Sequence, residues 1–187
     1  MLYQLEEYGR FVEIVGYRGI KFEVAEAYLK AHRRQTHVVA VQFFDADLVA
    51  TPRHLYFAAL NSLQAFKGKT NISKTVAMET MLYASAQRQI QKAIARSGIK
   101  PTTQNMAVLI IGEQKQAVEL SLVAVSACAG KAPDDRVLEM NSAKLKSIKK
   151  NFDIGESEVE VVRKSDDEMT AVADLVIERV ALLATQF

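Results

Sequence analysis

Met106-Ala107-Val108-Leu109-Ile110-Ile111 is a run of six consecutive apolar residues closed by Gly112. A run this short, bounded by a turn residue, reads as a buried strand rather than a helix. Downstream of it, the apolar-rich stretch from Lys115 to Ala129 reads as a helix against the sheet, with Gly130 as its C-terminal glycine. Upstream, Val38-Val39-Ala40-Val41-Gln42-Phe43-Phe44 has the length and branching of a second buried strand. Leu2 to Glu6 and Arg10 to Tyr17 also read as strands, the second through alternating Phe11, Glu13, Val15 and Tyr17, and the Tyr8-Gly9 break makes them a hairpin. Phe22, Ala25, Tyr28 and Leu29 then recur at helical spacing up to about His32. Strand, helix and strand in this order permit a right-handed βαβ crossover, and a mixed sheet is equally compatible.

The middle and the C-terminus are rich in helix. Thr51-Pro52 starts one, because proline at the first helical position has no amide that needs a partner. That helix runs to about Lys67 on an inward stripe of Leu55, Tyr56, Ala59, Leu63 and Phe66, with Gly68 beyond its end. A second spans Ser73 to Tyr83, and a third runs from a Ser85 cap to Ser97, ended by Gly98 and Pro101; one kinked helix is the competing reading. Arg136 to Met140 is a short edge-strand candidate. An Asn141-capped helix follows with Leu145, Ile148 and Phe152 inward and Lys144, Lys146, Lys149 and Lys150 largely solvated. A short helix over Ser157 to Arg163 precedes the last one, which opens on Ser165-Asp166-Asp167-Glu168, a capping-box spacing. The expectation is a single α/β domain over residues 1–187, a small mixed sheet packed by several helices.

Length and composition, 187 residues with 49% hydrophobic and 25% charged content, suit one core. With Cys128 as the only cysteine there is no intrachain disulfide and no thiolate cluster for a metal. The N-terminal residues lack the pattern of a signal peptide, and no apolar run approaches the ~20 residues that cross a bilayer. A cytoplasmic protein without membrane contact is expected. The net charge of +2 conceals a strong division: between Thr51 and Pro101 eight cations face one acid, Glu79, a net +7, so the remainder carries −5. From Asn151 onward nine acids face three cations, a net −6. Such polarity suggests two partner surfaces, the basic one suited to phosphate.

Local catalytic signatures are missing: there is no glycine-rich phosphate loop, no histidine pair at metal spacing and no glycine-flanked serine. Asp45 and Asp47 flank Ala46 after a strand. With His54 they make the alternative reading, a small hydrolase or transferase. His32 and His37 read as boundary residues, and Cys128 as packing. In the helix Ser85 to Ser97, Ala86, Ile90, Ala93, Ile94 and Ser97 form an inward stripe, and Arg88, Lys92 and Arg96 recur every four residues opposite it. Lys67, Lys69 and Lys74 precede this ridge, with His54, Phe57 and Tyr83 as further RNA-contact candidates; Phe57 points off the core stripe. In the last helix, Met169, Val172, Val176, Val180 and Leu183 share a stripe, while Leu175 and Leu182 lie roughly 130° away. Their neighbour is either another element of this chain or the groove of a partner.

The segment Glu79-Thr80-Met81-Leu82-Tyr83-Ala84-Ser85-Ala86-Gln87-Arg88-Gln89-Ile90-Gln91-Lys92-Ala93-Ile94, followed by Gly98-Ile99, resembles the central signature of the KEOPS kinase-binding-protein family. Leu175 to Leu183 is similar to the ending of its archaeal members, and the order of elements fits along the whole chain. Ala86 departs from the pattern, in which a glycine often follows the serine. The resemblance implies a compact α/β adaptor without catalysis or cofactor of its own. Such an adaptor binds the N-terminal lobe of a kinase-like KEOPS subunit, in a complex whose separate catalytic chain makes threonylcarbamoyladenosine in tRNA. It also implies contact with the 3′ CCA end of tRNA. On this reading Ile99, Leu175 and Leu182 dock the kinase.

Overall fold

The computed structural model describes residues 1–32, 39–163 and 167–185. Among them, strands β1 (Leu2–Leu5), β2 (Arg10–Arg18), β3 (Val39–Asp45) and β4 (Asn105–Gly112) form one sheet in the order β1-β2-β4-β3. Helices α1 (Phe22–His32), α2 (Pro52–Gly68), α3 (Val76–Ala84), α4 (Ile90–Ser97), α5 (Lys115–Ala129), α6 (Ser142–Asn151), α7 (Glu156–Val162) and α8 (Glu168–Leu182) surround it in one α/β domain. No helix among the described residues is long and apolar enough to cross a membrane.

The six-residue apolar run is the middle of β4, the strand between β2 and β3, where Val108 is paired with Val15 on one side and Phe43 on the other. Met106, Val108 and Ile110 face one way, into a core built with Tyr17, Ala25, Tyr28, Phe43, Val118 and Val125 under α1 and α5. Ala107, Leu109 and Ile111 face the other way, against Ile14, Phe44, Leu55, Leu63, Leu82 and Val180 under α2, α3 and α8. A strand sealed on both faces has no solvated side, which is why its sequence is continuous rather than alternating. Each large aliphatic group buried there contributes about 1.5–3 kcal/mol. A third cluster joins Leu145, Ile148 and Phe152 of α6 and its end to Val159 of α7 and Val172, Leu175 and Val176 of α8.

Every strand pair is antiparallel. β2 and β3 run in the same direction, as a crossover through α1 demands, but β4 is inserted between them, so the crossover is split. The segment from 136 to 140 is not a strand. A 3-10 turn, Asp135–Leu138, lies there across β2 at Gly16. The Asp134 amide donates to the Gly16 carbonyl at 2.7 Å, and the Gly16 amide donates to Asp135 Oδ1 at 2.9 Å. A Cβ at position 16 would stand 2.4 Å from Val137 Cγ2, so only glycine admits this approach.

The helix expected from Ser85 starts five residues later. Ser85 caps the C-terminus of α3 and Ala86 follows at φ 49°, in the left-handed region. The Ala86 amide reaches the Tyr83 carbonyl at 2.9 Å and the Gln87 amide reaches Leu82 at 3.0 Å, the two bonds of a Schellman motif. Glycine is the residue that adopts this conformation without cost. The glycine expected after Ser85 from the resemblance and the alanine found there therefore concern one backbone angle. Because α4 is short, only Ala93 and Ser97 of the expected stripe are buried, and Ile90 and Ile94 are exposed. At α8 the cap is Asp167, accepting from the Met169 and Thr170 amides. Ser165 and His37 lie outside the described residues.

Candidate nucleic-acid interface

An open depression of about 580 Å³ lies between α4 and the end of α6. Lys92 and Arg96, one turn apart on α4, Lys100 just beyond Gly98, and Lys150 in the last turn of α6 bring four cations to it. Gln87 and Asn151 add amide groups, and Asp153 is the acid on its wall. Cations in a helix's last turn also offset its exposed carbonyls, which accounts for part of this placement. Lys92, Lys100 and Lys150 are exposed, and none has an acid within 4 Å among the described residues. Arg96 differs. Its guanidinium lies 5.7 Å from the Phe152 ring centroid, donates to the Ser85 carbonyl at 3.5 Å and pairs with Asp153 at 3.2 Å.

The other basic candidates are spread more widely. Arg88 is exposed in the turn before α4, not on the helical ridge with Lys92 and Arg96. Lys67 pairs with Glu7 at 3.1 Å and sits 5.3 Å from the Tyr8 ring centroid. Lys69, the C-cap of α2, and Lys74 are exposed without an ion pair among the described residues. Glu79, the one acid of the basic segment, is buried, and its carboxylate accepts from the Ile72 and Ser73 amides. Its charge is spent holding the α2–α3 loop, so the surface of the segment is cationic.

Phe57 is half-buried and stays partly accessible, its ring centroid 5.4 Å from that of Tyr56 and 6.0 Å from the Arg53 guanidinium. Tyr83 does not: it is buried in the core with α2 and α3, because α3 is covered on nearly every side. His54 is likewise removed from any RNA contact. Its Nδ1 accepts from the Ala50 amide at 3.2 Å and its Nε2 donates to the Ala84 carbonyl at 2.7 Å. Burial is the main reason its pKa falls to about 4, so the ring is neutral and tautomerically fixed near pH 7.

A sequence model of the family described as kinase binding protein CGI-121 matches residues 22–184, a span that includes every residue of the depression. The chain belongs to this family. It is also similar to a regulatory protein, Cgi121, of Methanocaldococcus jannaschii, with 34% identity over 113 residues that cover 60% of this chain and 70% of the relative.

Of the alternative catalytic trio, His54 is fully buried with both ring nitrogens bonded to backbone. Asp45 opens the turn Ala46–Leu48, its Oδ1 accepting from the Asp47 amide at 3.1 Å and its Oδ2 from the Thr103 hydroxyl at 2.9 Å, while burial pushes its carboxyl pKa up. Asp47 Oδ1 accepts from Asn105 Nδ2 at 3.4 Å. With both His54 nitrogens committed to backbone, the ring cannot serve as a base toward these carboxylates. Among the described residues, no group of three or more His, Cys, Asp and Glu side chains could hold a metal.

The apolar candidates divide in the same way. Leu175 is buried against α6 and within the third cluster, so its second neighbour belongs to this chain and it offers nothing to a partner. Leu182 is 47% exposed, between the buried Val180 and Leu183. Ile99 is half-buried against the α1–α5 side of the core.

Sequence reasoning missed Lys100 and Lys150 as partners of one surface. Lys100 lay in the basic segment, but Lys150 belongs to a lysine-rich helix read as a solvated face. Two lysines of that helix are not solvated. Lys144 is buried, donating to the Val137 carbonyl at 3.1 Å, and desolvation lowers its pKa to about 8. Lys149 bridges Glu156 at 2.6 Å and Glu168 at 2.7 Å.

Proposed function

We propose that this chain is the non-catalytic KEOPS subunit that binds the complex's kinase-like subunit and tRNA, through the 3′ CCA end, and so supports threonylcarbamoyladenosine modification. Family membership supports the kinase partner. The depression between α4 and α6 carries the RNA half: four cations converge from separate stretches of chain on an open surface, against one exposed acid. An ammonium without an internal partner is available to a phosphate, and an open basic groove lets a flexible single strand settle along it. Phe57 is the accessible ring for an unstacked base. Arg88, Lys69 and Lys74 extend the positive field beyond the depression.

Kinase docking falls to Leu182, exposed at the end of α8, with the uncovered part of Ile99 as a second contact. The two interactions are separable because their residues are distinct.

The test is binding of intact tRNA and of tRNA lacking its CCA end across a range of salt. End recognition gives a marked loss on CCA removal at every salt concentration. Equal affinities with the same steep salt slope would reduce the contact to the phosphate backbone and reject the end-specific part.

A further inference from the structure

We infer that Asp153 is a built-in competitor for the phosphate site, a carboxylate that holds Arg96 until a polyanion displaces it. The inference rests on the tRNA reading above. The Ile154 amide bonds the Lys149 carbonyl at 2.9 Å, ending α6 in the same kind of turn that ends α3. Asp153 occupies its left-handed position at φ 53°. Glycine would end the helix there at lower cost. A side chain at this position instead puts a carboxylate on the wall of the basic depression, 3.2 Å from Arg96 Nη2.

The two partners are held very differently. The Asp153 side chain is 83% exposed and that of Arg96 only 23%. The guanidinium is fixed from two further directions, by the Phe152 ring and the Ser85 carbonyl. Opening the pair therefore moves the acid into water and leaves the cation in place. An ion pair so open to solvent is weak, and a phosphate carrying more charge and more acceptor oxygens replaces it. Lys92, Lys100 and Lys150, with no acid of their own within 4 Å among the described residues, engage the same ligand alongside. A lone anion must overcome Asp153 for a single contact, whereas a polynucleotide does so with several. The acid thus selects for polyanions.

The test compares wild type with Asp153→Asn, which retains a side chain tolerated in the left-handed region, and with Asp153→Glu, which keeps the charge. Affinity for tRNA is measured at several salt concentrations, with circular dichroism to verify folding. Asp153→Asn should bind roughly three- to fivefold more tightly at about 0.1 M salt. Its salt dependence should steepen by the release of nearly one further counterion, a slope change of about 0.7 for single-stranded RNA. Asp153→Glu should stay near wild type. Unchanged or weaker binding by a folded Asp153→Asn overturns the inference and makes Asp153 a positioning residue for Arg96. Lys92→Glu measured in parallel separates the readings: if it weakens binding while Asp153→Asn does not tighten it, the tRNA reading stands alone. If no variant and no wild-type chain binds tRNA, both fall.

Discussion

Around β4 and around the α4–α6 corner the chain solves opposite problems. In the sheet, side chains from β4 alternate between two sealed cores, and the close approach at Gly16 lets a turn lie directly on β2. At the corner two helices end on left-handed residues that are not glycine, Ala86 and Asp153, and two isoleucines are exposed on the short α4. Three lysines there, Lys92, Lys100 and Lys150, have no acid within 4 Å among the described residues. Packing dominates the first region and accessibility the second. Substitutions in the sheet should therefore change stability, and those in the corner should change binding with little effect on stability.

The largest effect should come from Leu109→Ala, which empties a fully buried position of the central strand. A loss of about 3–4 kcal/mol is expected in urea unfolding; a loss below 1 kcal/mol would mean that β4 is not the packing centre.

His54 gives the next. The folded state keeps it neutral with a pKa of about 4, against 6.5 for the free side chain. Between these values the unfolded chain takes up a proton that the fold refuses. Its contribution is complete above pH 6.5 and is lost as the pH falls towards 4, by about 3 kcal/mol in all. His54→Gln should flatten this part of the stability profile. An identical profile in the variant would mean that the ring takes up its proton without leaving its site.

The charge reversals Lys92→Glu with Lys150→Glu should weaken tRNA binding by about tenfold or more, with a shallower salt dependence. The melting temperature should hold, since neither lysine is buried or ion-paired among the described residues. Parallel losses of affinity and stability would erase the distinction between the two regions. Leu182→Glu belongs to the same class: it should abolish co-purification with the kinase-like subunit while the chain remains folded.

The smallest effect sharpens the comparison from the corner's side. Ala86→Gly should raise stability by about 0.5–1 kcal/mol, the relief of a left-handed alanine outweighing the greater freedom of glycine in the unfolded chain. Destabilisation would mean that the alanine methyl group's packing against the third cluster outweighs the strain at φ 49°.

Much of this architecture was legible in advance. The run Met106 to Ile111, the helical stripes of α1 and α2, and the Asn141 cap all depend on neighbours a few residues apart, and such local patterns identify elements. The central signature from Glu79 to Ile94, followed by Gly98-Ile99, pointed to the family. The reach of such patterns ended where contacts join distant segments. Leu175 and Leu182 occupy equivalent helical positions, yet one is buried in the third cluster and the other is about half exposed. Lys144, Lys149 and Lys150 belong to one basic helix, and only Lys150 meets the cations of α4.

Sequence alone determined most strands and helices, though not the turn over 136–140 or the start of α4, together with how charge is divided along the chain and which family it resembles, because periodicity, caps and composition act over a few residues. Tertiary structure decided that β4 enters between β2 and β3, that His54 and Tyr83 are buried, and that Lys150 and Asp153 join Arg96 across some fifty residues of chain. Burial and electrostatic pairing are properties of position in space, and chain folding brings together groups whose separation in sequence carries no trace of their contact.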